Sequence, residues 1–207
     1  MENLNPNLLS SLLPLVSFAF VTSGTPGPNN ILLTASGIRF GFKRSIPHIL
    51  GIQFGVATML SMCAFGIGIL LMGNPAINML IRICGTTYLL YLAWGLRRNI
   101  VVETAGADLE ARPFTFVQAA LFQLVNPKAW VMTMTAGSLF VPELESKLLS
   151  VALLCITFTC VGGPSSGSWA LIGAMVKKYL ADPFWQKVFS GVMILLTVYT
   201  AIALWFV

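Results

Sequence analysis

Two short polar clusters, each built around a proline, carry the side chains best suited to binding a ligand. One is TPGPNN at 25–30 and the other is QLVNPKAW at 123–130. Proline suits the first position of a helix, and Gly or Asn suits the cap before it, so each cluster predicts a helix that stops and restarts. A restart exposes backbone N–H groups and the positive end of a helix dipole, which favour a carboxylate. The predicted binding residues are Pro28, Asn29, Asn30, Gln123, Asn126, Pro127 and Lys128.

Lys128 is the only charged residue in the apolar segment 113–142. A cation at the middle of a membrane costs about 2.5–3.5 kcal/mol on insertion scales, so it is a functional candidate by default. All seven acidic residues lie in the N-terminal tail or in predicted loops, so an anionic ligand would supply the missing partner. Snorkelling is the alternative, but Lys128 lies too far from either end of the segment for its stem to reach the interface.

Each cluster taken alone is also compatible with a simple proline kink whose freed backbone groups are satisfied by neighbouring helices. The exposed carbonyls before each break would suit an ammonium group, helped by Gln123, Ser23 or Thr22. Together with the N–H groups after the break, they predict a site for a zwitterion.

Other polar residues in apolar segments have open interpretations. His48 is the only side chain that titrates near neutral pH, and it either carries a proton, takes part in gating or is structural. The stretch GGPSSGSWALIG at 162–173 is proline-interrupted, and its serines either line a cavity or permit close packing. The stretch GIQFG at 51–55 has GxxxG spacing, which serves packing within the chain or in a homo-oligomer equally well.

The composition requires membrane helices to position these residues. Of 207 residues, 57% are hydrophobic and 9% are charged, whereas soluble domains average about 25% charged. A span takes about 20 apolar residues, and six segments satisfy this: 3–38, 45–81, 75–96, 113–142, 148–176 and 188–207. Segments 45–81 and 75–96 meet at the GNP turn, residues 73–75. The sequence therefore predicts an all-α polytopic membrane protein of six transmembrane helices in a single domain over residues 1–207.

The net charge of +5 does not indicate nucleic-acid binding, because the basic residues follow the positive-inside pattern. Nine follow spans 1, 3 and 5, and two lie on the opposite side. This predicts that loops 1, 3 and 5 lie in the cytoplasm and both termini lie outside. The nine are Arg39, Lys43, Arg44, Arg97, Arg98, Arg112, Lys177, Lys178 and Lys187.

The polar stretch 97–114 divides the chain into repeat 1, about 8–96, and repeat 2, about 115–207. Three spans is an odd number, so the second set must be inverted relative to the first. Matching interruptions in two inverted halves indicate a transporter binding site. Helices 1 and 4 are accordingly predicted to be broken near the middle of the membrane. The four cysteines have no CxxC spacing and are interpreted as packing residues. Neither a cofactor nor a bound metal is predicted.

The stretches TPGPNNILLTASGIRFGFKRSIPHILGIQFG, RICGTTYLLYLAWGL and FQLVNPKAW resemble the amino-acid exporters of the lysine exporter (LysE/RhtB) family. The PGPN element falls on residues 26–29 and the NPK element on 126–128. The serine-and-tryptophan stretch of span 5 is most similar to the branch that exports cysteine and O-acetylserine. The resemblance implies a bacterial inner-membrane carrier that moves amino acids outward, driven by the proton-motive force. Some relatives have an acidic residue in a membrane span and this chain has none, which leaves His48, Lys128 or the substrate as proton carrier.

Two other classes of function fit the sequence less well. An ion or metal exporter would need carboxylates, histidines or thiols converging on one site. An integral membrane enzyme would need a catalytic cluster near a membrane face. The chain has one histidine and no predicted intramembrane acid, which makes such a cluster a poor fit to the sequence.

Overall fold

The computed structural model describes residues 6–68, 73–99, 112–180, 182–203 and 205–206. These residues form eight α-helices, and no strand is assigned among them. In chain order the helices are α1 (Pro6–Gly24), α2 (Pro28–Phe40), α3 (Phe42–Ala64), α4 (Pro75–Asn99), α5 (Phe116–Leu124), α6 (Pro127–Leu139), α7 (Lys147–Val176) and α8 (Pro183–Ala203). The all-helical prediction is confirmed. Most of the predicted loop 97–114, residues 100–111, lies outside the described residues.

Both predicted helix breaks are present. The segment predicted as the first span is divided into α1 and α2 by residues 25–27, and the segment predicted as the fourth is divided into α5 and α6 by residues 125–126. The second helix of each pair begins with proline at its first position. Proline is favoured there because the missing N–H is one that no helix satisfies internally.

Within the described residues, three helices are long and apolar enough to cross a membrane by length and composition: Phe42–Ala64, Lys147–Val176 and Pro183–Ala203. Helices α5 and α6 are short because the break divides their apolar segment into pieces of 9 and 13 residues. A capping box starts α5, in which the Thr115 hydroxyl accepts from the Gln118 N–H and the Gln118 side chain accepts from the Thr115 N–H. This local signal fixes where the helix begins.

Helix α7 runs without a break through Pro164, so the predicted interruption of span 5 is wrong. A membrane helix tolerates an internal proline where neighbouring groups compensate for the one lost backbone hydrogen bond. At the two real breaks, by contrast, the residue before the proline is extended. Gly27 has φ −175° and ψ 179°, and Asn126 has φ −92° and ψ 103°.

Glycines allow the helices that carry the site to approach closely. A Cβ on Gly51 would collide with the Phe116 carbonyl, and one on Gly55 would lie 2.8 Å from the Ala120 carbonyl oxygen. The GxxxG motif therefore packs α3 against α5 within the same chain. In the same way, a Cβ on Gly173 of α7 would collide with the backbone of Thr34 in α2.

The largest group of buried apolar side chains lies between α1, α2, α3, α5, α6 and α7. It includes Leu33, Leu60, Leu154 and Phe158, each almost completely buried. The two broken helix pairs thus meet at the centre of the molecule, packed against α3 and α7.

Candidate ligand-binding cavity at the two helix breaks

The first break leaves backbone donors at the start of α2. The Ile31 N–H is the first to bond within the helix, to the Gly27 carbonyl at 3.0 Å. Pro28 has no N–H, and no side chain caps this end. Helix geometry therefore leaves the N–H groups of Asn29 and Asn30 without an intrahelical acceptor, at the positive end of the helix dipole.

The carbonyls at the end of α1 are already hydrogen-bonded. The Asn30 side-chain amide donates to the Ser23 carbonyl at 3.0 Å and to the Thr25 carbonyl at 2.8 Å. The Asn30 side chain thus links the two sides of the first break and does not point at a ligand. At the second break the Trp130 indole N–H links the two sides in the same way, by donating to the Leu124 carbonyl at 2.8 Å.

A reciprocal amide pair joins the two breaks. Asn29 Nδ2 donates to Gln123 Oε1 at 2.8 Å, and Gln123 Nε2 donates to Asn29 Oδ1 at 3.1 Å. Gln123 is completely buried and also donates to the Ala119 carbonyl within α5. Two residues that are 94 positions apart therefore bring the start of α2 against the end of α5.

Lys128 makes a second link between the breaks. Its Nζ donates to the Thr25 carbonyl at 2.8 Å, the Thr25 hydroxyl at 2.9 Å and the Pro26 carbonyl at 3.3 Å. These oxygens follow the carboxyl end of α1, where the helix dipole favours a cation. Among the described residues no carboxylate contacts Lys128. The sequence predicted a cation without a protein partner, and the structure instead gives Lys128 three neutral oxygen acceptors.

A cavity with a volume of about 40 Å³ lies where the breaks meet. Its polar lining includes Asn29, Asn30, Asn126 and Lys128 of the predicted set, and Pro28 also lines it. This volume holds about three water molecules. The cavity is therefore small in this conformation, and polar residues form much of its lining.

Two acceptor groups at the cavity receive no hydrogen bond from any described residue. Asn126 is 2% exposed, and within the described part of the chain its buried Oδ1 has no hydrogen-bond partner. Gln53 donates from Nε2 to the Ser166 hydroxyl at 3.2 Å, while no donor to its Oε1 is found among the described residues. Because an unsatisfied buried acceptor is costly, Asn126 Oδ1 is suited to a donor group of a ligand or to water. Gln53 belongs to the same cavity lining and offers its Oε1 as a further acceptor.

The residues predicted from sequence do not all reach the cavity. Gln123 and Pro127 lie behind it: Gln123 holds Asn29, and the Pro127 ring packs closely against Gly85 of α4. His48 also does not line it. That side chain is 1% exposed, and the ring stacks on Phe114 with centroids 5.1 Å apart. Neither ring nitrogen has a hydrogen-bond partner among the residues that the structure describes.

The main residue that sequence reasoning missed is Gln53. It lies inside the GIQFG stretch, where the glycine spacing predicted only close packing. An uncharged amide within a long apolar span is itself a signal of a polar site. Ser166 is the one serine of the 162–173 stretch that lines the cavity. Gly162 also lines it, and a Cβ there would lie 3.1 Å from Gln53 Oε1 and 3.2 Å from Ser23 Oγ.

A second, larger cavity lies on the other side of Lys128. Its volume is about 480 Å³ and its lining is mainly apolar, from α1, α6 and α8. Thr22, Lys128 and Met132 line both cavities. The contact from Lys128 to Thr25 and Pro26 therefore lies at the partition between a small polar cavity and a large apolar one.

Apolar helices of membrane-crossing length, arranged around a polar cavity at two restarted helices, define a helical membrane transporter. A family model described as LysE type translocator matches residues 20–206, and the chain belongs to this family. It is similar to a protein of Escherichia coli (strain K12) called cysteine/O-acetylserine efflux protein, with 29% identity over 206 residues, 98% of this chain and 100% of the relative. Relatives with the same name from Shigella sonnei (strain Ss046) and Shigella flexneri match at the same identity and coverage. No solved structure matches the chain.

Proposed function

We propose that this protein exports amino acids from the bacterial cytoplasm, across the inner membrane, through the cavity at the two helix breaks. The observation that carries the proposal is the composition of that cavity. Lys128 Nζ and the N–H groups at the start of α2 supply positive charge and donors, while Asn126 Oδ1 and Gln53 Oε1 supply free acceptors. A zwitterion presents the complementary carboxylate and ammonium. The names of the relatives support an amino-acid substrate.

In this proposal the carboxylate binds Lys128 and the N–H groups of Asn29 and Asn30. The ammonium binds Asn126 Oδ1 and Gln53 Oε1, because the carbonyls that end α1 already accept from Asn30 and Lys128. This differs from the pose expected from sequence, which placed the ammonium on those carbonyls.

Substrate binding requires the cavity to enlarge, since about three water molecules occupy less space than any amino acid. The proposed event is an exchange of partners at Lys128. The substrate carboxylate replaces the oxygens of Thr25 and Pro26 as the acceptor for Lys128. Loss of that contact removes the partition between the two cavities. Glycines at 24 and 27 flank the released segment and let its backbone turn. The small polar and large apolar cavities then become one space.

The predicted membrane arrangement belongs to the same proposal. Six spans in two inverted repeats, about 8–96 and 115–207, would place the two breaks near mid-membrane with both termini in the periplasm. Coupling to the proton-motive force is also proposed, with His48, Lys128 and the substrate as candidate proton carriers. Alternating access would then depend on movement of the broken helices, as in other transporters built from inverted repeats.

Transport by inside-out vesicles tests the function. We expect saturable uptake of one or more labelled neutral amino acids into vesicles that contain the protein, stimulated by a pH gradient. Vesicles that contain the Lys128→Met variant are the matched control and should lack this uptake. If the wild-type vesicles accumulate none of a panel covering all common amino acids and O-acetylserine, the proposed function is wrong.

Narrowing the cavity tests its location. We expect Gly162→Ala to raise the half-saturating substrate concentration roughly fivefold or more, because overpacking a filled site costs about 1–3 kcal/mol. The new methyl group would meet Gln53 Oε1 and Ser23 Oγ at 3.1 and 3.2 Å. Concentration-dependent uptake into the same vesicles measures the change.

Gly163→Ala is the control for this experiment, since a Cβ at Gly163 has no atom within 4 Å. Both changes add one methyl group to α7 at adjacent positions. Equal kinetics for the two variants would contradict a substrate site beside Gly162.

A further inference from the structure

The large cavity beside Lys128 has the size and lining of a pocket for an apolar group. Its volume is about 480 Å³ and its lining is mainly apolar, and ligand pockets in proteins typically measure about 300–1,000 Å³ with mostly apolar walls. Three helices form it, with Phe18 from α1, Val131 from α6 and Leu196 from α8 among the lining residues. This cavity therefore has room for an organic side chain, which the small polar cavity does not.

The large cavity adjoins the proposed substrate site through shared residues. Thr22, Lys128 and Met132 line both cavities. The oxygens that Lys128 Nζ contacts belong to Thr25 and Pro26, which line the large cavity. A substrate carboxylate that takes the place of these oxygens therefore lies at the edge of the large cavity, with its interior open to the rest of the substrate.

The small cavity is filled once the charged groups of an amino acid are bound. It holds about three water molecules, which is roughly the space of one carboxylate and one ammonium group. In the proposed pose these groups contact Lys128, the start of α2, Asn126 and Gln53. The side chain on the substrate Cα must then extend past the position of Thr25 and Pro26, into the large cavity.

The lining of the large cavity does not suit a charged side chain. Among the described residues Lys128 is the only charged one that lines it, so a basic side chain would meet a cation and no carboxylate. The hydroxyls of Thr22 and Thr200 each donate to a backbone carbonyl of their own helix, at 2.6 and 2.8 Å, so neither is a free donor. An acidic side chain would lose its hydration without compensation, because Lys128 is already paired with the α-carboxylate.

We propose that the large cavity binds the side chain of the substrate, and that the protein selects neutral amino acids with bulky apolar side chains. Leucine, methionine and phenylalanine represent this class. The inference rests on the proposed export function and narrows it to one class of amino acid. Affinity should grow with the length of the side chain, because each buried methylene adds a similar amount to the stability of the bound state.

A homologous series of amino acids tests this selectivity without altering the protein. Alanine, 2-aminobutyrate, norvaline and norleucine compete with labelled leucine for uptake into inside-out vesicles that contain the full-length protein. We expect the half-inhibitory concentration to fall about fourfold with each added methylene. Equal inhibition across the series would overturn the proposal, and so would uptake of alanine or O-acetylserine without uptake of leucine. Uptake of no amino acid at all would instead contradict the export function itself, and this inference with it.

A tryptophan in the wall of the large cavity tests the location of the side-chain site. Leu196 lines the large cavity but not the small one, so Leu196→Trp fills the space and leaves the groups that bind the zwitterion in place. We expect the half-saturating concentration of leucine to rise about tenfold or more, and that of alanine to change by less than about twofold.

Leu195→Trp is the matched control, since Leu195 is 70% exposed and lines neither cavity. This variant should transport leucine and alanine as the wild type does. Alanine uptake also shows that the Leu196→Trp protein is folded and active. If Leu196→Trp affects the two amino acids equally, or leaves leucine uptake unchanged, the large cavity does not hold the side chain.

Discussion

Export should fall about thirtyfold or more when Lys128 is replaced by methionine. Removing one partner of a buried charged contact costs about 2–5 kcal/mol, and about 1.4 kcal/mol corresponds to a tenfold change. Lys128 lines both central cavities, and it is the side-chain cation beside the free acceptors Asn126 Oδ1 and Gln53 Oε1. Without it the substrate carboxylate keeps only backbone donors. Initial rates of uptake into inside-out vesicles, corrected for the amount of protein in the membrane, give the result.

Two further variants distinguish substrate binding from a structural role. Lys128→Gln retains a donor for the oxygens of Thr25 and Pro26 but has no charge, so it should fold normally and still export poorly. Lys147→Met removes an exposed lysine far from the breaks and should export at the wild-type rate. Full export by Lys128→Met or by Lys128→Gln would contradict the assignment of the carboxylate to this side chain.

A large effect on stability is expected from Gly173→Ala. The added methyl group would collide with the Thr34 carbonyl of α2 and lie 3.0 Å from its carbonyl carbon and Cα, all backbone atoms that cannot rotate away. Overpacking of this kind costs about 1–3 kcal/mol, occasionally more. We expect a clear drop in melting temperature in detergent and reduced accumulation in the membrane, because α2 and α7 must separate.

Gly163→Ala provides the comparison on the same helix. No atom lies within 4 Å of a Cβ at that position, and alanine is the better helix former by about 1 kcal/mol. Its melting temperature should equal or slightly exceed that of the wild type. A Gly173→Ala protein as stable as Gly163→Ala would show that α2 and α7 do not pack as closely as described.

Much of the fold follows from local sequence. Proline after Gly27 and after Asn126 predicted both restarts, because the preference of proline for the first helical position depends only on its neighbours. Pro164 shows the limit of that rule. The same residue type lies inside a continuous helix of 30 residues, although Gly163 precedes it as Gly27 precedes Pro28. Local sequence therefore does not distinguish the two prolines, and packing tolerates the lost hydrogen bond at Pro164.

The sequence indicates close packing between helices, but it does not identify which helix each glycine face contacts. The GIQFG stretch allowed either an oligomer or an internal contact, since small residues permit any helix to approach. The structure places Gly51 and Gly55 against α5 of the same chain. The helix that contacts a glycine face depends on how all the helices pack together, and this cannot be predicted from a single segment.

By itself the sequence determined an all-helical chain of the LysE type, two interrupted helices and a lone lysine beside one of them. Only the tertiary structure decided what that lysine contacts. Its acceptors belong to residues more than 100 positions away, and the cavity acceptor on Gln53 comes from a helix with no break at all. Helix starts depend on neighbouring residues and can be read locally. A binding cavity depends on distant side chains meeting, so it exists only once the helices have packed.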